Sequence, residues 1–159
     1  MPKQAFTIVG LKELNDALIG LAEEFKPSNA KNVLRGALKD GGEIIARAGK
    51  ANAPRSPGGG QLAESYSVGI KLTRRQASLH QKESAIEVYV GPTPHPKSVQ
   101  TEFGNAHQSP QPHLRPAWDN NWRSVFELIV KRTEERLEAT RKRLAKKAER
   151  EAAKMKQGV

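Results

Sequence analysis

Residues 116–157 read PAWDNNWRSVFELIVKRTEERLEATRKRLAKKAEREAAKMKQ, with no further proline and no glycine before Gly158. Trp118, Trp122, Val125, Phe126, Ile129, Leu137, Leu144 and Ala148 recur along this stretch at steps that return to one helical face. Pro116 suits a first helical turn, where its missing N–H costs nothing. The spacing predicts a helix of about 38 residues, which at ~1.5 Å each spans about 57 Å. Its first half is apolar enough to join a core. Its second half keeps a thin seam of Leu137, Leu144 and Ala148 among charges, an edge suited to docking another copy of the protein.

The chain before this helix alternates strand and helix signals. Tyr66, Val68, Ile70 and Leu72 alternate strictly, as do Ile86, Val88 and Val90 ahead of Gly91-Pro92. Period two argues for half-buried strands, paired as an antiparallel hairpin across a long polar connection. Residues 92–116 form a proline-rich loop with a short ordered island near 99–104. Residues 53–60 (APRSPGGG) form another loop. Upstream, Ser28 and Asn29 offer N-caps for a helix whose apolar face holds Val33, Leu34, Ala37, Leu38, Gly41, Ile44, Ile45 and Ala48. The paired Gly41 and Gly42 within it leave room for another element to approach. Leu11, Leu14, Leu18 and Leu21 mark an earlier amphipathic helix ending before Pro27, after a β-type run at 5–9 (AFTIV). The fold class expected is α+β: a small antiparallel β-sheet packed against two N-terminal helices and a long C-terminal helix. Residues 1–130 would form the domain, and 131–159 a basic extension of the last helix.

Composition narrows the function classes. The 159 residues are 36% hydrophobic and carry a formal charge of +10. Without cysteine, disulfides, thiolate zinc sites and thiol catalysis are excluded. No apolar run approaches the ~20 residues of a membrane span, so no membrane partner is expected. Residues 1–10 lack the pattern of a secretory signal, which predicts a soluble protein made in the cytosol. The charge is uneven: residues 131–159 hold 11 Lys/Arg against 5 Asp/Glu, a net of +6. Arg141, Lys142, Arg143, Lys146, Lys147 and Arg150 are candidates for neutralising DNA phosphates. The plainer reading is a solvated helix with pairs such as Glu138–Lys142 and Lys147–Glu151. No aromatic platform for single strands lies in that region.

Catalytic signals are weak. His95, His107 and His113 share a loop without metal-ligand spacing, so neither a metal nor a cofactor is expected. Glu102 with His107 is the one acid–base pairing worth naming. Ser56, Ser65 and Ser109 lack a nucleophile elbow, and PGGG lacks the ending of a phosphate-binding loop. The chain reads as a non-enzyme.

The ordered motifs resemble a known family. They run Gly10-Leu11-x-Glu13-Leu14, Ala53-Pro54 with Gly60, Leu62 and Ser65, Val88-x-Val90-Gly91-Pro92, Glu102-Phe103-Gly104, and Pro110-x-Pro112-x-Leu114-Arg115-Pro116-Ala117. In this order across about residues 8–125 they resemble the gene-product-ten family of HK-type tailed phages, virion proteins of the tail-completion or head–tail joining kind. The resemblance implies a homo-oligomeric ring at the neck or tail end, sixfold favoured over twelvefold, through which DNA passes. Its partners would be copies of itself and neighbours such as head-closure, tail-terminator or tail-tube proteins, in a virion assembled in the host cytoplasm. Candidate interface residues are Pro54, Arg55, Leu62, Glu102, Phe103, Gly104, His107, Leu114 and Arg115. Glu102 would bond nearby backbone N–H groups, Phe103 would sit under a tight glycine turn, and Leu114-Arg115-Pro116-Ala117 would anchor the loop beneath the last helix. The extension beyond about residue 131 lies outside the resemblance.

Overall fold

The computed structural model describes residues 15, 16, 18–20, 25–54, 61–93, 95 and 97–157. Two helices dominate it. Helix α1 (Pro27–Asn52) and helix α5 (Leu114–Gln157, 44 residues) pack antiparallel along most of α1. Between them in sequence come α2 (Gln61–Glu64), β1 (Tyr66–Gly69), α3 (Arg74–Leu79), β2 (Tyr89–Pro92) and α4 (Ser98–Phe103). The architecture is α+β, a two-stranded antiparallel sheet against helices that include the long C-terminal one, as the sequence predicts.

The core has two centres along the α1–α5 seam. Ile45 meets Ala117 and Val125 near the sheet, while Phe25 and Val33 meet Leu137 at the other end, with Leu34 and Leu144 packed alongside. Adjacent glycines in α1 let two elements approach from different sides. A methyl group on Gly41 would come within 2.7 Å of Ile129 in α5, and one on Gly42 within 2.9 Å of both Val68 and Val90 in the sheet. Those two valines are directly paired in the strand register. Gly41 and Gly42 thus join three layers that larger residues would hold apart.

Several boundaries differ from the sequence expectation, each for a local reason. Helix α1 starts at Pro27, not after a Ser28 or Asn29 cap, because proline is already set for a first turn. Strand β1 stops at Gly69, leaving Ile70 exposed and Leu72 outside the sheet. The polar connection is not wholly irregular: Thr73 and Gln76 form a reciprocal capping box that starts α3. Strand β2 begins only at Tyr89, since the Glu87 carboxylate accepts the backbone N–H groups of Glu83 and Ser84 and holds the preceding residues in a turn.

The buried face of α5 is also shifted. Trp118 is 54% exposed, whereas Ala117, Thr133 and Thr140 are buried. The two threonines satisfy their hydroxyls within the helix, on the carbonyls of Ile129 and Arg136, so burial leaves neither unpaired. Leu137 and Leu144 pack inside this chain and are not an open edge for another copy; Ala148 is exposed. The division at residue 130 therefore falls within one continuous helix and within the core contact. Every residue from 145 to 155 is exposed, so the part that leaves the body begins after Leu144. Of the predicted first helix, residues 15, 16 and 18–20 are helical and Leu18 is exposed. The run at 5–9, Leu11, Leu14, Leu21, the glycines at 58–60 and Arg55 lie outside the described residues.

Candidate functional site

The most elaborate side-chain cluster lies where α5 begins. Helix α4 ends at Phe103, and Gly104 at φ 77° turns the chain in a conformation that disfavours a side chain. Within the turned segment the Gln111 N–H donates to the Thr101 carbonyl, bringing residues 111–115 back over α4. Glu102 is 5% exposed at that point. One of its carboxylate oxygens accepts the backbone N–H of His113 at 2.8 Å and of Leu114 at 2.9 Å. The other accepts the Arg115 N–H at 3.0 Å and its guanidinium Nε at 3.1 Å. The first N–H groups of a helix lack partners within it and carry its positive dipole end, so a buried carboxylate here satisfies both deficits. This cap lets the helix start at Leu114, two residues before Pro116.

Burial alone would raise the Glu102 pKa. The N–H bonds of Leu114, His113 and Arg115, with the Arg115 guanidinium, outweigh it and lower the pKa to about 2. Arg115 closes the lock from outside, donating from Nη2 to the Glu102 carbonyl at 3.0 Å and covering the Phe103 ring at 4.9 Å. Phe103 is itself 61% exposed, with the Arg115 guanidinium over its ring.

The partner of Glu102 expected from sequence, His107, is exposed on the following turn and bonds Asn105. The histidine beside Glu102 is His113, 1% exposed, with Nδ1 3.5 Å from a carboxylate oxygen and hydrogen-bonded to the Tyr66 hydroxyl. Tyr66 meets that ring edge-on, and burial, then the Glu102 charge, push its hydroxyl pKa well above the ordinary range. Asn52, at the end of α1, donates to the His113 carbonyl. Nothing local in the sequence joins Tyr66 to His113; 47 residues separate them, and only the fold brings them together. This Tyr66–His113–Glu102 group has a tyrosine held neutral and a carboxylate filled by four donors. It is arranged to hold β1, α4 and α5 in place.

The remaining motif residues gather close by. Leu62 is buried in α2, the Ser65 carbonyl accepts the Thr93 N–H just past β2, and a methyl group on Gly91 would come within 4.0 Å of Leu114. Pro54 is half-buried where the chain leaves α1. Beside them a cleft of about 650 Å³ opens between α1, β2 and the first turns of α5. Its lining is largely apolar, including Leu38, Ile45, Val88, Val90, Trp118 and Ile129, with Glu87 and Asp119 among the polar lining residues. Glu87 accepts from the Tyr89 hydroxyl and bonds His80, and these contacts, with the backbone bonds of Glu83 and Ser84, hold its carboxyl down at about 2. Among the described residues no group of three or more His, Asp or Glu side chains is placed to hold a metal ion.

The basic residues lie on the projecting end of α5. Arg141, Lys142, Arg143, Lys146, Lys147 and Arg150 are all exposed. Arg141 pairs with Glu138 at 2.6 Å, where Lys142 was the expected partner, and Lys147 lies 3.7 Å from Glu151. No family model matches the chain, and no curated protein or solved structure compared with it matches either.

Proposed function

We propose that this protein is a non-enzymatic structural component of a phage virion, a tail-completion or head–tail joining protein of the neck or tail end. Copies assemble into a homo-oligomeric ring around the DNA channel, sixfold in preference to twelvefold, and bind neighbours such as head-closure, tail-terminator or tail-tube proteins. The observation that carries this reading is where the motif residues of the resemblance sit. Glu102, Leu114 and Arg115 interlock, Leu114 and Val90 pack against the same core cluster, and Leu62 is buried in α2, so these residues support architecture and not a substrate. The adjoining apolar cleft and the exposed Trp118 leave surface of the kind that protein contacts cover.

Native mass measurement of the purified protein and electron microscopy of particles test the proposal. Ring-sized assemblies and density for the chain in the neck support it. A strictly monomeric protein absent from purified virions overturns it. The second reading, a DNA-binding accessory protein working through its basic helix, is favoured by the full exposure of residues 145–155. Truncation after Leu144 separates the two while sparing the core: a protein that assembles into rings with or without its tail favours the structural role, and one that binds duplex through the tail but never assembles favours the accessory role.

A further inference from the structure

We infer that one face of the projecting helix, formed by Arg143, Lys146, Lys147, Arg150 and Lys154, is a binding surface for the phosphate backbone of duplex DNA. This goes beyond the assembly reading and stands whether or not a ring forms. The five residues follow steps of three, one, three and four, which places them within roughly 100° of the helix circumference. All five are exposed, and the contact of α5 with α1 ends at Leu144, so nothing among the described residues covers them. From Arg143 to Lys154 the helix rises about 16 Å without a break, giving a straight row of cations.

The structure sharpens which cations belong to this face. Arg141 points about half a turn away and is held by Glu138. Lys142 sits at the edge of the row. Lys154, absent from the sequence-based set, continues it. Of the acids in this stretch, Glu149 lies along the same edge as Lys142, and Glu151 flanks the opposite edge 3.7 Å from Lys147.

The kind of partner follows from what the face lacks. Between residues 143 and 154 there is no aromatic residue, and the one large aliphatic residue, Leu144, packs toward the core. Protein interfaces concentrate energy in aromatic and apolar anchors and are depleted in lysine. Single-stranded nucleic acid is held by stacking on aromatic rings. Asn, Gln, Ser and Thr are also missing from this stretch, which leaves little beyond charge to offer. A stiff helix with a row of cations and no Asn or Gln to read adenine suits a double-stranded backbone contacted mainly through its phosphates.

The test is fluorescence anisotropy of a labelled 30-base-pair duplex with the full-length protein at a series of salt concentrations. The wild type should bind with an affinity that falls steeply as salt rises. A triple variant, Arg143→Gln, Lys147→Gln and Arg150→Gln, should weaken binding at least tenfold at low salt and flatten the log–log salt slope by about 2.7, at ~0.9 per phosphate contact. A second triple variant, Lys31→Gln, Lys39→Gln and Lys50→Gln, removes the same charge from exposed positions on α1 and should leave that slope unchanged. Thermal unfolding of both variants checks that the fold is intact. Equal losses in the two variants, tighter binding to single strands than to duplex, or binding to polyglutamate without binding to duplex would each overturn the inference.

Discussion

Replacing Glu102 by glutamine tests the junction at the start of α5 most directly. The native carboxylate accepts three backbone N–H groups and a guanidinium while 5% exposed. Lowering its pKa from 4.5 to about 2 corresponds to about 3 kcal/mol by which the fold favours the ionised form. Glutamine keeps one acceptor oxygen but turns an NH2 group toward backbone donors, so most of that stabilisation is lost. For a chain of this length, about 3 kcal/mol lowers Tm by roughly 6–12 °C. The effect depends on pH in a defined direction. A carboxylate with a lowered folded-state pKa stabilises fully above its unfolded value of 4.5 and loses this contribution as pH falls toward 2. The gap between wild type and variant should therefore hold steady above about pH 5.5 and shrink to roughly half by pH 3. Far-ultraviolet circular dichroism of urea unfolding at several pH values reads the gap directly. A difference below 0.5 kcal/mol at pH 7, or one that stays constant down to pH 3, would refute the reasoning.

Three further outcomes follow from the packing and the charges. Gly49→Ala should destabilise the protein by about 2 kcal/mol in denaturant unfolding despite the better helix propensity of alanine, because its methyl group falls on the Tyr66 ring and displaces the hydroxyl from His113. Leu137→Ala should cost about 2–4 kcal/mol by the same measurement, whereas Thr133→Val, which removes only a hydroxyl bonded within its own helix, should stay within about 1 kcal/mol. In a carboxyl-detected NMR titration, Glu87 and Glu102 should both have midpoints near 2. Replacing Tyr89 by phenylalanine should raise the Glu87 midpoint without moving that of Glu102, since only Glu87 bonds the tyrosine hydroxyl.

How much of this was legible in sequence depends on the range of each interaction. The uninterrupted run after Pro116 announced a helix longer than a small domain needs, because helix continuity is set by neighbouring residues. Alternation at Val68 and Val90 placed both strands, and Gly41-Gly42 marked a close approach, although not which elements would meet there. The Thr73-x-x-Gln76 box was also a local signal, but α3 has no buried face to accompany it and the stretch reads simply as polar. The buried face of α5 was harder, since Thr133 and Thr140 look like surface residues until their hydroxyls bond back into the helix.

By itself the sequence determined the mixed architecture, the long last helix, the positive charge gathered toward its end and the motifs of the junction. Each depends on periodicity, composition or residue type over short spans. Only the tertiary structure decided that Glu102 caps α5 and not His107 but His113 lies beside it, that Tyr66 reaches that histidine, and that the basic row is free only beyond Leu144. The physical reason is common to all three. A carboxylate joins N–H groups eleven to thirteen residues away, and a tyrosine joins a histidine 47 residues away, only after the chain has folded back to bring them within hydrogen-bond distance.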